Sequence, residues 1–598
     1  MIPAPLLAPL IDQWLARIVA PLACWVLING IDDIVIDCAA VVSHFRDAAP
    51  SEAEIDAAPP RPMAIFVALW KEHRVIESML ERNTRGIRYR QVDFFVGAYP
   101  NDAPTIAAVR EAMKRYPNVH LALCPHDGPT SKADCLNWIY QRMLLYEEEK
   151  RVCFEMVLTH DAEDSIDPDA LRWINYYAQT FDMVQIPVLA LPTPIREFAH
   201  GVYCDEFAEF QYRDMPARQL LGGFIPSNGV GTGFSRHALE MLATAHNNCV
   251  FEPGCLTEDY ENGWRVHHMG LRQKFIAIRF REGRPVATRE YFPRNIRAAI
   301  RQRTRWVTGI MLQSWEFHSP RDTWSNLYWF WRDRKGLAGN LLTPLTNLTF
   351  LVGANTWIAA RVSHHAWGLA ADLARFYWIC MVGLFIQGAH TLMRMGFSAS
   401  IYGWRFALAV PLRVMVANFI NLCSTSRAIL NYASAKLRGH PLRWAKTEHV
   451  FPSREALNVE RQRLGALLTG GSWITPEALA RALETRPAHL RLGEHLIALG
   501  LIGEEELYEA LAIQNQVPLG VPEGESVSLA VARTLPAAIA RKWNLLPFRV
   551  AAGALYVAGS ELPGTEMQAD IRRFSSLELR FHLITPTAFQ QLALQFLG

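Results

Sequence analysis

Between residues 63 and 160, short apolar runs alternate with stretches whose apolar positions recur at helical spacing. Residues 63–70, 91–98, 119–124 and 152–159 read as strands; a stretch from Glu72, then 102–115 and 131–149, read as helices. Continuously apolar strands fit burial on both faces, and strand–helix alternation predicts an α/β domain with a largely parallel sheet. Sheets of that kind bind ligands beyond the carboxyl ends of their strands. Farther on, residues 223–236 (GFIPSNGVGTGFSR) read as a glycine-rich turn between apolar segments, in which Gly229, Gly231 and Gly233 allow close backbone approach.

Other apolar stretches have membrane length. Residues 3–37 are sparsely charged, with an uncharged core at 18–31 and a full span from about 12 to 36. No basic segment precedes that core and no small-residue cleavage site follows it, so a membrane helix is expected rather than a signal peptide. Asp32, Asp33 and Asp37 fall near its inner end. A Trp-dense segment, 322–334, predicts an interfacial helix. Spanning helices follow at about 337–361 and 376–394. The next apolar stretch differs. Asn421, Ser424, Arg427, Asn431, Ser434 and Arg438 make a polar stripe at helical spacing, which predicts an amphipathic helix over 408–438 lying on the membrane surface.

After residue 462 the composition becomes that of a soluble domain, and a repeat appears. RLGALLTGGSWITPEALARALETR (463–486) and RLGEHLIALGLIGEEELYEALAIQ (491–514) share R-L-G and leucines at equal offsets. Each copy reads as helix, turn and helix. The remainder, 517–598, mixes short strands (546–550, 554–559) with helices. The expected organisation is an N-terminal membrane helix (1–46), a soluble α/β domain (61–320), interfacial and membrane helices (321–445), a linker (446–462) and a C-terminal α+β domain (463–598).

Composition narrows the function. The 598 residues are 50% hydrophobic and 20% charged, too apolar for an ordinary soluble enzyme and too charged for a pure membrane bundle. A net charge of +2 argues against nucleic acid as a partner. The ten cysteines include no CxxC pair, so neither a zinc site nor a disulfide framework is suggested, and no P-loop is present.

Chemistry concentrates at three places. HDAED (160–164) ends an apolar strand with three carboxylates in four residues, hard oxygen ligands suited to Mg²⁺ or Mn²⁺ on a diphosphate. TED (257–259) puts Glu258 and Asp259 before a helix. In isolation such a pair is a favourable helix-start charge; it is also able to take a proton from a hydroxyl. QRTRW (302–306) supplies an amide, a guanidinium that holds phosphate and an indole that stacks on a sugar.

SKADCLN (131–137), HDAED, the glycine-rich segment, TED and QRTRW occur in this order ahead of membrane helices. The set, covering about 61–450, resembles the processive membrane glycosyltransferases of family 2, such as cellulose and hyaluronan synthases. The resemblance implies a GT-A-like, Rossmann-like mixed sheet inserted between transmembrane helices. It implies that Asp161 and Glu163, with Asp164 sharing the task, hold the metal and the donor diphosphate. Asp259, beside Glu258, becomes the base. Gln302, Arg305 and Trp306 hold pyrophosphate and terminal sugar, and Lys132 and Glu72 lie near the nucleotide. The family's Asp pair after the second strand is missing. Gly97 and Ala98 stand there, and Asp102, later in the loop, is the acid expected at the nucleotide.

The R-L-G repeat resembles the N-terminal domain of type II secretion ATPases (MshEN), which implies cyclic di-GMP binding. The second copy matches at Arg491, Leu492, Gly493, Leu496, Gly500, Leu507, Leu511 and Gln514. The first keeps Arg463, Leu464, Gly465, Leu468, Leu479 and Leu483 and departs at Ser472 and Arg486, which predicts a weaker half-site. The fusion resembles the phage-receptor adsorption protein B family. That implies an inner-membrane enzyme that builds an exported polysaccharide from a nucleotide-sugar, UDP-linked by the family at large, under cyclic di-GMP control and beside an outer-membrane export partner. Both ligands are cytoplasmic, so an even number of spans must separate the two soluble domains, as two spans and one surface helix do. The alternative is a non-catalytic receptor or scaffold that senses cyclic di-GMP and docks an export partner.

Overall fold

In the computed structural model, residues 4–597 are described apart from 282, 318–322, 365, 440–463, 471–472, 488, 516, 522–526 and 552–553. The chain divides into two units, Met1–Pro452 and Ser453–Gly598.

In the first unit, α1 (Ala4–Arg46) precedes the alternation β1 (Met63–Ala68), α2 (Ile76–Gly86), β2 (Val92–Ala98), α3 (Ala103–Arg115), β3 (Val119–Leu123), α4 (Lys132–Lys150) and β4 (Met156–His160). Then come α5 (Ala170–Tyr177), β5 (Met183–Gln185), β6 (Val188–Ala190), α6 (Phe198–Glu209), a π-helical turn (Phe210–Asp214) and α7 (Met215–Leu220). They are followed by β7 (Thr232–Ser235), α8 (Arg236–Ala245), α9 (Glu258–His268), β8 (Gln273–Phe275), β9 (Thr288–Glu290) and α10 (Ile296–Trp306).

Seven strands form one sheet in the order β3-β2-β1-β4-β7-β5-β8. Residues 63–67 of β1 are all buried because both sheet faces are covered: Met63, Ile65 and Val67 join one apolar layer, Ala64 and Phe66 the other. The glycine-rich segment is not wholly a turn. Residues 232–235 pair antiparallel with β4 and with β5, so the expected parallel sheet is mixed. This strand is short and its partners lie about fifty and eighty residues away, so no local pattern announces it. The helix expected from Glu72 begins at Ile76. Lys71 takes a positive φ of 57°, and its N–H donates to Asp102 at 2.6 Å, holding residues 71–75 as a loop.

Among the described residues three helices are long and apolar enough to cross a membrane: Ile11–Arg46 within α1, α12 (Gly336–Val362), and Leu373–Tyr402 within α13 (Ala370–Tyr402). Between the sheet domain and α12 lies the Trp-rich α11 (Trp324–Arg334). The acidic end of α1 is an anchor rather than a set of solvated charges. Asp33 and Asp37 meet Arg213 at 2.9 and 2.5 Å, Asp32 meets Arg332 and lies 2.6 Å from Lys335, and Tyr328 donates to Asp32 at 2.6 Å.

α14 (Val410–Arg438) packs its inner face on the sheet domain. Arg413 forms a buried fork with Asp205 at 2.5 and 2.8 Å, Asn421 accepts from Arg303, and Tyr432 and Lys436 reach Glu316 at 2.6 Å each. Its outer face is apolar and exposed at Leu412, Met415, Phe419, Leu430 and Leu437. Of the polar stripe, Asn421 holds Arg303 and Ser424 is buried, whereas Arg427, Asn431 and Arg438 are exposed beside the outward apolar side chains.

In the second unit the two repeats form α15 (Leu464–Gly470) with α16 (Pro476–Thr485), and α17 (Leu492–Ala498) with α18 (Glu504–Asn515). Their shared apolar core includes the equivalent, fully buried Leu468 and Leu496. A side chain at Gly465 would start 2.8 Å from Leu479, and one at Gly493 2.7 Å from Leu507, so both copies cross their helices at the same glycine–leucine pair. Arg463 and Ser472 lie outside the described residues, while Leu483, Arg486 and Arg491 are exposed. A sheet of β10 (Leu545–Ala551), β11 (Ala554–Gly559) and β12 (Glu578–Leu583) follows.

Candidate active site

The carboxyl ends of β1 and β4 and the start of α4 surround a cleft lined by Trp70, Glu72, Tyr99, Thr130, Lys132, Asp161 and Glu163 among others. Ser131 caps α4, accepting from the Asp134 N–H at 3.2 Å, and this fixes Lys132 as the first helical residue. Its Nζ lies 2.5 Å from Asp161 Oδ1. Burial opposes the Lys132 charge, but Asp161, Glu258 and Asp259 outweigh it and raise the ammonium's pKa.

The HDAED carboxylates divide in two directions. Asp161 and Glu163 face the cleft. Asp164 is fully buried; its Oδ2 takes 2.7 Å and 3.0 Å contacts from His160 Nδ1 and the Asp161 N–H. Asn83 ties the same turn down, donating to the Asp164 carbonyl and accepting from the Ile166 N–H. Asp164 thus shapes the turn rather than sharing the cleft. Asp102 likewise faces the loop backbone it braces, through the Lys71 N–H. The backbone N–H of Glu72 is held by Thr105 Oγ1 at 3.1 Å.

TED starts α9 with no side-chain cap from Thr257. The segment is pressed from both sides. Gly229 has a φ of 80°, and a side chain there would begin 2.6 Å from Asp259 Oδ2; at Gly309 it would begin 2.5 Å from Thr257 Oγ1. Gln313 ends a π-helical turn after α10 (Val307–Gln313), accepting from the Leu256 N–H and donating to the Gly254 carbonyl. Burial raises the pKa of both carboxyls. Glu258 is pushed up to about 7, with Asp259 adding to burial and Lys132 and Arg305 opposing it. For Asp259 burial is opposed by Lys132, the Tyr260 N–H and Arg305. Lys132 and Arg305, from α4 and α10, thus act on the same pair of carboxylates.

On α10, Gln302 Oε1 is buried and accepts no hydrogen bond from the described residues. Trp306 lies edge-on to Tyr203 and Phe292 at 6.0 and 6.5 Å, and 6.2 Å from Phe207. Sequence reasoning missed Glu290, at the end of β9. Burial, then Asp164, Glu163 and Asp161, push its carboxyl well above the ordinary range, so it faces the HDAED acids. Its approach depends on the backbone exchange between Ser165 and Arg289 at 2.8 and 2.9 Å, which leaves no local signal. Trp70 and Tyr99, edge to face at 5.5 Å in the cleft wall, were also passed over; their place after two strand ends was the available clue.

Among the described residues no three His, Cys, Asp or Glu side chains form a metal-binding group. Asp161 and Glu163 nonetheless suit Mg²⁺ or Mn²⁺, hard cations that take one or two protein carboxylates and complete their shell with phosphate oxygens and water.

A model of the glycosyltransferase-like family 2 matches residues 59–309, and a MshEN-domain model matches 515–598. Bacteriophage adsorption protein B of Escherichia coli strain K12 is 33% identical over 571 residues, covering 90% of this chain and 76% of that protein. Bacteriophage N4 adsorption protein B of E. coli O157:H7 gives the same figures. Among solved structures, a mannosyltransferase from Pyrobaculum calidifontis in complex with GDP-Man and Mn²⁺ is 16% identical, covering 66% of this chain and 98% of its own, at a TM-score of 0.39. MshE with cdg is 24% identical over 23% of this chain and 99% of its own, at a TM-score of 0.21. The chain joins a family 2-like glycosyltransferase domain to a MshEN domain, and it belongs to the bacteriophage adsorption protein B family.

Proposed function

We propose that the chain is an inverting glycosyltransferase that builds an exported polysaccharide from a nucleotide-sugar under cyclic di-GMP control. The observation that carries this reading is the convergence of Lys132, Asp161, Glu258, Asp259 and Arg305, from four separate elements, on one electrostatic site.

In the proposed reaction Asp259 accepts the proton of an acceptor hydroxyl. The oxygen forms a bond to the anomeric carbon from the face opposite the leaving group, the bond from that carbon to the diphosphate oxygen breaks, and the nucleoside diphosphate departs with the electron pair. Lys132 and Arg305 offset the charge that gathers on the diphosphate. Asp161 and Glu163 would hold the divalent metal, which neutralises phosphate charge when bound. Asp259 lies within the influence of two cations that keep part of its base form available, although burial disfavours it. Trp306 and Gln302 bind the acceptor sugar.

α1, α12 and α13 place the protein in a bilayer, proposed here as the bacterial inner membrane. The apolar outer face of α14 and its polar grip on the sheet domain support a surface helix on the catalytic side. Two spans then separate the catalytic domain from the C-terminal unit, both cytoplasmic. The paired Gly465–Leu479 and Gly493–Leu507 crossings support a two-motif cyclic di-GMP site with Arg491 at its second half. An outer-membrane export partner completes the proposal. Gly97 and Ala98, in place of the Asp pair, favour the scaffold alternative.

The test is turnover of UDP- and GDP-sugars by the purified full chain with Mg²⁺ or Mn²⁺, with and without cyclic di-GMP. Transfer from one donor that rises with cyclic di-GMP supports the enzyme. Cyclic di-GMP binding without transfer from any donor supports the scaffold.

A further inference from the structure

We propose that Asn421, on α14, is a positioning residue for sugar transfer: it holds the face of α10 that carries Gln302, Arg305 and Trp306, acting through Arg303. The inference rests on the glycosyltransferase reading and adds to it a residue outside the segment matched by the family model, which ends at 309.

Arg303 lies one residue from Gln302 and two from Arg305; its side chain leaves α10 on the side away from Arg305 and beside Trp306, with which it shares the Tyr203 ring. It is 7% exposed. Nη1 donates to Asn421 Oδ1 at 2.6 Å, Nη2 reaches Glu206 on α6 at 2.5 Å, and the guanidinium carbon lies 4.6 Å from the Tyr203 ring centroid. One planar fork therefore joins three helices. A guanidinium with a fixed geometry and two separate acceptors sets both the rotation and the height of the helix that carries it. Glu206 alone fixes one end of the fork; Asn421 fixes the other.

The front of α10 is sensitive to that setting. Arg305 acts on Glu258 and Asp259, and Trp306 packs on Tyr203, the same ring Arg303 covers. Rotating α10 about its axis would carry Arg305 away from the carboxylates and Trp306 away from the acceptor path. α14 is well placed to resist this: the buried Arg413–Asp205 fork and the Glu316 contacts of Tyr432 and Lys436 tie it to the sheet domain on either side of Asn421.

The test compares Asn421→Leu, which removes the acceptor, with Asn421→Asp, which keeps one, in steady-state transfer by the full chain. Misplacement of about 1 Å near a reacting centre costs on the order of a hundredfold in rate. The expected result is a fall in kcat of about tenfold or more for Asn421→Leu, with the donor KM within about twofold, and recovery to within about threefold in Asn421→Asp. Should Asn421→Leu fail to fold, Arg303→Lys, whose single ammonium cannot span both acceptors, is expected to show the same kcat loss. Wild-type kcat in Asn421→Leu, or in Arg303→Lys where that variant stands in, overturns the inference. So does an equal loss in both Asn421 variants accompanied by lowered thermal stability, which marks a merely structural role. Failure of the wild type to transfer any sugar would instead reject the glycosyltransferase reading.

Discussion

Gly229 and Asp259 are in steric register: the backbone of one, at a φ of 80°, comes so close to the carboxylate of the other that a Cβ would lie 2.6 Å from Oδ2. Gly229→Ala therefore does two things. It costs about 1–2 kcal/mol for the left-handed backbone, and it pushes Asp259 out of place. Transfer is expected to fall by about tenfold or more while thermal stability falls only modestly. A paired kcat and melting measurement checks this, and equal losses in both would point to backbone strain alone.

Lys132, 2.5 Å from Asp161, lines the cleft proposed to take the diphosphate. Lys132→Met removes a charged hydrogen-bond donor worth about 1.5–3 kcal/mol, so nucleoside diphosphate affinity should weaken by about tenfold to a hundredfold. Calorimetric titration with Mn²⁺ present measures it. The acid limb of the rate profile should also move to higher pH, because Lys132 lowers the pKa of both Glu258 and Asp259.

Glu258 makes the site costly to hold at neutral pH. Its folded pKa of about 7 exceeds the ordinary 4.5, so the folded state binds its proton more tightly than the unfolded state does. Stability from this group is present in full below pH 4.5, declines as pH rises and is lost above 7. Glu258→Gln, neutral throughout, is expected to melt higher than wild type at pH 8 and to match it at pH 4.5. A thermal scan at the two pH values decides the matter; a stabilising effect confined to the lower pH would reverse the sign.

Arg413 and Asp205 are both buried and form a fork to which Ser398 adds a hydrogen bond. Arg413→Met leaves a buried carboxylate without its cation, a loss of about 3–5 kcal/mol. In detergent this variant should melt well below wild type, and Asp205→Leu/Arg413→Met should recover much of the difference. A double variant no better than the single one would show that the guanidinium's packing on Phe406, rather than its charge, holds α14.

The parts of this molecule visible in its sequence are those written in short windows. HDAED, TED and QRTRW each lie within five residues, and their chemistry was readable from residue type alone. So were the strands β1 to β4, short and mostly apolar runs, and the R-L-G repeats, whose Gly493 and Leu507 recur at the offset of Gly465 and Leu479. What was not visible depends on residues far apart in the chain. The strand at 232–235 needs β4 and β5 to exist. Glu290 reaches the acidic turn through a pairing with Ser165 more than a hundred residues earlier. Asp164, one of three adjacent carboxylates, is distinguished only by His160 and the Asp161 N–H, which turn it inward. The role of Asp32 and Asp33 is set by Arg332 and Lys335, some three hundred residues on, and no window around the two acids carries it.

The proposed role of Asp259 as the base of a sugar transfer is tested most directly by Asp259→Asn, because the amide keeps the shape and cannot accept the proton. With the full chain, cyclic di-GMP and the donor that the wild type uses, single-turnover transfer should fall by about a hundredfold or more while donor affinity stays within a few-fold of wild type. Transfer by Asp259→Asn at the wild-type rate would contradict the mechanism.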